Sequence, residues 1–186
     1  KMTVQFNDLK TSKTELEKII SELTAEMTKI FEEQFAVINT HFNTVFRELF
    51  NGGEAHLTLS EPEDILNSGI EFRVTPPGKV IKNMTALSGG EQALVAIALY
   101  FAILKVRPAA FCVLDEIEAA LDDVNVVRFA EYLKRITEKT QIIAITHRRG
   151  TMEEADLLYG VTMQEKGVSK LLVINVSDLE KNFRLN

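Results

Sequence analysis

The sequence predicts an α/β fold: a layered sheet with helices, entered through a long N-terminal coiled-coil helix. Three observations predict it. Residues 1–50 contain neither Pro nor Gly, and Leu16, Ile20, Leu23, Met27 and Ile30 repeat at 4-3-4-3 spacing. That is the seam of a coiled coil. Two short continuous apolar runs, 109–114 and 142–145, are separated by a helical pattern. Such runs fit parallel strands covered on both faces. Between the first of them and a Ser-Gly-Gly turn lies a stretch, Ala93 to Leu104, that is apolar almost all round. A helix of that kind is buried.

The N-terminal helix continues its apolar series through Phe31, Phe35, Ile38, Phe42, Val45 and Leu49. The successive four-residue steps at Met27, Phe31 and Phe35 resemble a stutter, which locally unwinds a supercoil. Phe31, Phe35, Phe42, Phe46 and Phe50 are more aromatics than a two-stranded seam uses. This end is therefore expected to enter a globular head, the alternative being a single amphipathic surface helix. His41 is read as a packed or surface side chain on it. Asn51-Gly52-Gly53 ends the helix, since Gly favours the position past a C-terminus. Two alternating segments follow, Glu54 to Ser60 with Ala55, Leu57 and Leu59 on one face, and Gly69 to Thr75 with Ile70, Phe72 and Val74. Turns at 61–64 and 76–78 bound them, and they pair as an antiparallel β-unit. His56 falls on the polar face.

Two short stretches carry chemistry. In Leu87-Ser88-Gly89-Gly90-Glu91-Gln92, Ser88 can cap the apolar helix by accepting a first-turn N–H. Gly89 and Gly90 have no Cβ, so a ligand can approach their backbone. Free N–H groups and the helix dipole there favour an anion. Alone, the same residues also make an ordinary cap and turn. The helix is expected to end by Arg107, because Pro108 disfavours helix before it. The run 109–114 then ends in Asp115-Glu116, at the strand's carboxyl end, where α/β sheets bind ligands. An Asp there can help to hold Mg²⁺ and the next carboxylate can orient or deprotonate a water. Alone, both acids could cap the next helix. Cys112, the single cysteine, supplies no disulfide framework and reads as a small buried hydrophobe. After Ala120-Leu121-Asp122, Val124 to Thr137 is helical. Gln141 to Thr146 is a buried strand with His147 at its end, where an imidazole could bond a phosphate oxygen or water. Leu157 to Met163 and Val168 to Val176 close the fold, joined by 165–167.

In order and spacing these stretches resemble the motifs of ABC-type ATPases. Leu87 to Gln92 is similar to their signature motif, Phe111 to Glu116 to their Walker B strand with its catalytic glutamate, Ala120-Leu121-Asp122 to their D-loop, and Ile145-Thr146-His147 to the strand leading to their switch histidine. The wording of 103–108, 146–156 and 158–165 resembles the bacterial SMC (structural maintenance of chromosomes) family. The resemblance runs from about residue 45 to 176. It implies the C-terminal half of an ABC-type, P-loop NTPase head: a coiled-coil neck over 1–50, the head lobe over 51–176, and a polar, frayed tail over 177–186. The chain opens inside a helical pattern at Lys1, as an excised piece would.

The resemblance implies the following roles. Asp115 helps to hold Mg²⁺, through a bridging water. Glu116 positions the attacking water, and His147 contacts the γ-phosphate. Leu87, Ser88, Gly89, Gly90, Glu91 and Gln92 close in trans over ATP held by a second head, beside the D-loop residues Ala120, Leu121 and Asp122. The 186 residues contain no Gly-x-x-x-x-Gly-Lys-Ser/Thr, so the P-loop lysine and β-phosphate cradle must come from another segment. Expected partners are that N-terminal half, a second head in a homodimer, a kleisin subunit, and DNA through the intact complex. The Phe-rich neck is expected to face the kleisin because of its aromatics, and the closing strands on the resemblance alone. The formal net charge of −6 is not that of a DNA-binding module. No signal peptide is legible and the run Ala93 to Leu104 is too short to span a bilayer, so a cytoplasmic, nucleoid-associated protein without membrane partners is expected. The related coiled-coil ATPase of double-strand-break repair shares every catalytic motif, but the wording of 105–108 and 148–165 stands against it. An ABC transporter cassette is opposed by the long coil and the missing P-loop. A non-enzymatic module is opposed by intact Ser88, Asp115, Glu116 and His147.

Overall fold

The structure is a computed structural model and describes residues 2–79 and 84–176, with side chains from Gln5 onward. The tail expected over 177–186 lies outside the described residues. Helix α1 spans Met2–Phe50 without interruption. Its seam residues Leu16, Ile20, Leu23, Met27 and Ile30 are all at least half exposed. The other end is buried: Phe42, Val45, Phe46, Leu49 and Phe50 belong to the head core. Phe46 stacks on Phe50 with centroids 4.2 Å apart, and Phe42 meets Phe72 edge-on at 5.9 Å. Phe42, Phe46 and Phe50 are therefore core packing, while Phe31 and Phe35, half-buried, stack on each other at 5.7 Å. The kleisin-facing expectation is corrected at Phe42, Phe46 and Phe50, which have no surface to offer.

The helix stops at a left-handed turn. Asn51, Gly52 and Gly53 have φ of 56°, 128° and 81°, and the Gly52 N–H donates to Arg47 O at 2.9 Å. A Cβ on Gly53 would lie 2.4 Å from Thr75 O, so only glycine lets the chain turn directly into β1 (Glu54–Leu59). Strand β1 pairs antiparallel with β2 (Ile70–Thr75). Its other edge is closed by α1. Asn39 accepts from Leu57 N at 2.8 Å and donates to Leu57 O at 3.0 Å, and Asn43 accepts from Ala55 N at 3.2 Å. Those two amides satisfy an edge that would otherwise leave buried backbone groups unpaired. Ala55, Leu57 and Val74 point into the core, but Ile70 is exposed.

After a short 3₁₀ turn at Met84–Ala86, helix α2 spans Gly89–Val106 with Arg107 as its C-cap. It buries Leu94, Val95, Ile97, Ala98, Phe101 and Ala102. Tyr100 and Ile103 are exposed, so the helix expected to be buried all round is buried on one side. At 18 residues it is long and apolar enough to cross a membrane by length and composition, a correction to the shorter span read from the sequence. Here that apolar surface meets α1 and α3 (Asp123–Ile136). Strand β3 (Phe111–Asp115) pairs in parallel with β4 (Gln141–Ile145), and α3 joins them. Cys112 is buried and its Sγ hydrogen-bonds the Tyr100 hydroxyl at 2.8 Å; this bond and burial push the tyrosine up to about 12.

The apolar runs predict that both strands are covered on two faces, and they are not. Cys112 and Leu114 face the core, whereas Phe111, Val113, Ile143 and Ile145 are 46–60% exposed. Helix α4 (Arg149–Glu153), which the sequence pattern does not announce, leads to the antiparallel hairpin β5 (Leu157–Glu165) and β6 (Val168–Asn175). Every residue of β6 is exposed. The described strands thus form three separate two-stranded sheets. Two of them present apolar side chains to solvent, Val113, Ile143 and Ile145 on one and Tyr159, Val161 and Val173 on the other.

Candidate active site

The signature-like stretch is a closed capping box. Ser88 Oγ accepts from Glu91 N at 3.3 Å, and Ser88 N donates to Glu91 Oε2 at 2.9 Å. Reciprocal bonds of this kind hold a helix start in one geometry. Lys79 Nζ lies 2.6 Å from Glu91 Oε1. The Lys79 ammonium, helped by the Ser88 backbone N–H, holds the Glu91 carboxyl below its ordinary value. Gln92 Nε2 donates to Met84 O and Leu87 O at 3.3 and 3.1 Å, so Glu91 and Gln92 brace the turn. Leu87 is buried beneath it. Ser88 and Gly89 are exposed, and a Cβ built on Gly89 would meet nothing within 4 Å. Gly90 differs: its Cβ would lie 3.4 Å from Ala120 O and 3.6 Å from Asp122 N and Oδ2.

The second group lies at the carboxyl ends of β3 and β4. Asp115 ends β3 opposite Ile145 and is exposed. Glu116 follows with φ of +49°, a left-handed conformation unusual for a residue with a side chain. Its N–H donates to Ile145 O at 2.9 Å, which pins the strained residue to β4. The turn brings Glu116 Oε1 to 3.2 Å from His147 Nδ1, with both side chains more than half exposed. A strained backbone held by neighbouring strands is common where geometry matters for chemistry. Asp122 caps α3: its Oδ1 accepts from Asn125 N at 2.9 Å and its Oδ2 from Asn125 Nδ2 at 3.1 Å. Leu121 is buried and Ala120 is exposed.

Thus Glu116 and His147 meet, Gly90 lies against Ala120 and Asp122, and the exposed side of Ser88 and Gly89 forms a separate surface. Among the described residues no three His, Cys, Asp or Glu side chains cluster as a complete metal site. Mg²⁺ is commonly held by one or two carboxylates together with substrate phosphates and water, and Asp115 is an exposed carboxylate. Sequence reasoning missed the residues that support the site. Glu118 is 2% exposed, and Thr151 Oγ1 donates to its Oε1 at 3.1 Å. Arg148 Nη2 donates to Leu121 O at 3.1 Å and to Asp123 Oδ1 at 2.9 Å. The one signal available was position: all of them sit within a few residues of Glu116, Asp122 or His147.

Comparison with known proteins gives this geometry its context. The profile of the family described as RecF/RecN/SMC N terminal domain matches residues 1–170. The chromosome partition protein Smc of Bacillus subtilis is 56% identical over 97% of this chain, which spans 15% of that protein's length. A structure from work on ATP-driven dimerization and DNA-stimulated activation of SMC ATPases is 39% identical, with a TM-score of 0.75 over 84% of this chain and 95% of that one. The Smc head domain of Pyrococcus furiosus, solved with an extended coiled coil and bound to the C-terminal domain of ScpA, is 39% identical, with a TM-score of 0.76 over 96% of this chain and 44% of that one. The chain belongs to the RecF/RecN/SMC family and has the fold of an SMC ATPase head.

Proposed function

We propose that this chain is the C-terminal lobe of an SMC head, acting in ATP-driven chromosome partition. The observation that carries this is the Glu116–His147 pair, 3.2 Å apart at the ends of two parallel strands, in a chain without a P-loop. In this assignment residues 1–50 are the neck and 51–176 the lobe. The family profile takes its name from an N terminal domain; our assignment to the C-terminal lobe rests on which motifs the residues contain. The bare faces of β3–β4 and β5–β6 are then where the P-loop lobe packs.

ATP is the substrate, held by the P-loop lobe. Bound Mg²⁺ would offset phosphate charge, with Asp115 among its holders. Glu116 orients the attacking water and accepts its proton, as its exposed carboxylate beside His147 allows. His147 orients Glu116 through Nδ1 and offers its other ring nitrogen to the γ-phosphate side. The open N-terminus of α2, with Ser88 and Gly89 exposed, receives the phosphates of ATP bound to a second head. Hydrolysis then removes the charge that bridges the heads, and α1 passes their separation to the arm. The complex is cytoplasmic and nucleoid-associated, with a kleisin clasping the heads and DNA engaged by the whole assembly.

Ser88→Arg tests the trans contact. In complete heads on a Glu116→Gln background, size-exclusion chromatography with ATP should show dimers when Ser88 is intact. The bulk introduced by Ser88→Arg should leave monomers, while each head still binds ATP. If Ser88→Arg still dimerises, Ser88 is only a helix cap, and the change should cost no more than about 1 kcal/mol of stability.

A further inference from the structure

The segments 116–123 and 147–151 are tied together by side chains outside every motif. Arg148 reaches back from the first residue after His147 to the Leu121 carbonyl at 3.1 Å. Its guanidinium also lies 2.9 Å from Asp123 Oδ1. One turn later, Thr151 Oγ1 donates to Glu118 Oε1 at 3.1 Å, and both residues are buried. On its far side, the same loop supports the signature turn: Gly90 lies so close to Ala120 O and Asp122 N that a Cβ would be at 3.4 and 3.6 Å. A continuous line of contact therefore runs from Gly90 through Ala120–Asp122 to Arg148, and from there through His147 to Glu116.

The two ends of that line have different tasks. On the function proposed above, Ser88 to Gly90 meet nucleotide on the partner head, whereas His147 and Glu116 meet the head's own. We propose that Arg148 is a positioning residue that couples the two ATP sites, holding the Leu121 carbonyl so that closure on the signature turn sets the His147–Glu116 geometry. The inference rests on the trans role of the signature stretch. Arginine suits the task because the two N–H bonds of its Nη2 are fixed in the guanidinium plane, so this one nitrogen bonds the Leu121 carbonyl and the Asp123 carboxylate with little freedom between them. The Arg148 side chain is 24% exposed while the Asp123 side chain is fully exposed. The bond to Leu121 O is thus the more sheltered one, and Asp123 serves to aim the same nitrogen. Gly90 removes slack at the other end, since little space separates α2 from the loop.

Complete heads, with both lobes, carry the test: turnover is measured against ATP concentration for wild type, Arg148→Ala, Arg148→Lys and Asp123→Ala. Arg148→Ala should lower kcat about tenfold to a hundredfold, as small misplacements of catalytic groups do. KM should stay within about twofold, since the loss is in the transition state. The Hill coefficient should fall from roughly 2 to roughly 1, because two sites would no longer communicate. Arg148→Lys keeps one donor for Leu121 O and should recover part of both quantities. Asp123→Ala, at an exposed position, should show a smaller change in the same direction. Wild-type kcat and Hill coefficient in Arg148→Ala overturn the inference alone. So does a loss that tracks a lower melting temperature, is not rescued by Lys and is absent from Asp123→Ala. Wild-type heads that fail to dimerise or turn over with ATP overturn the trans reading and this inference together.

Discussion

At the scale of single residues, chemistry and strain sit together at Glu116. It has φ of +49° and is held by the Ile145 carbonyl, so its carboxylate reaches His147. Glu116→Gln keeps the shape and removes the base. In complete heads it should leave ATP binding intact and slow hydrolysis by about 10²- to 10⁴-fold, so ATP-bound dimers accumulate; wild-type turnover measured by phosphate release would exclude Glu116 as the water-orienting group. Tyr132 bears a purely structural constraint. Its ring packs on Phe101 at 5.1 Å, and among the described residues its fully buried hydroxyl has no partner. Burial pushes that phenol well above its ordinary value. Tyr132→Phe removes an unsatisfied group, so stability should rise by about 1 kcal/mol, read as a higher chemical-denaturation midpoint. A lower midpoint would mean that the hydroxyl finds a partner in solution.

At the scale of elements, the start of α2 depends on a charged pair. Because the Glu91 carboxyl is held below its ordinary value of 4.5, its contribution is fully present above that value and is lost as pH falls through the lower folded-state value. Lys79 is half exposed, which screens the pair and limits its worth to less than about 1 kcal/mol. The stability difference between wild type and Glu91→Gln should therefore be flat at neutral pH and vanish in acid; a difference that grows as pH falls would contradict the pairing. The placement of α2, β3 and α1 was legible because each rests on a local signal: Ser88 as a cap before the apolar stretch Ala93 to Leu104, an apolar run ending in Asp115-Glu116, a long opening stretch without Pro or Gly. What was not legible depended on reach. Asn39 and Asn43 closing the edge of β1, and Arg148 bonding Leu121 O, pair residues 12–27 positions apart with no periodicity to mark them. Helix α4 is five residues long, too short for a repeat to show.

At the scale of the whole molecule, the most informative surfaces are bare ones. The apolar runs predict strands covered twice, and the structure covers β3 and β4 once. Among the described residues none packs over their second face. Val113, Ile143 and Ile145 on one sheet, and Tyr159, Val161 and Val173 on the hairpin, are 46–73% exposed, as is the seam of α1. On the proposed function, the P-loop lobe covers the sheets and a second coil helix the seam. On the same reading, a kleisin contact on the neck falls on its exposed part, before Phe42. Cysteines placed along 16–38 should crosslink a kleisin, and crosslinks confined to other surfaces would count against the neck. The central claim is that this chain is half of an ATP site. Isothermal titration of ATP-Mg²⁺ tests it most directly: the chain alone should give no binding heat, and binding should appear when the P-loop lobe is added. Micromolar binding by the chain alone would contradict it.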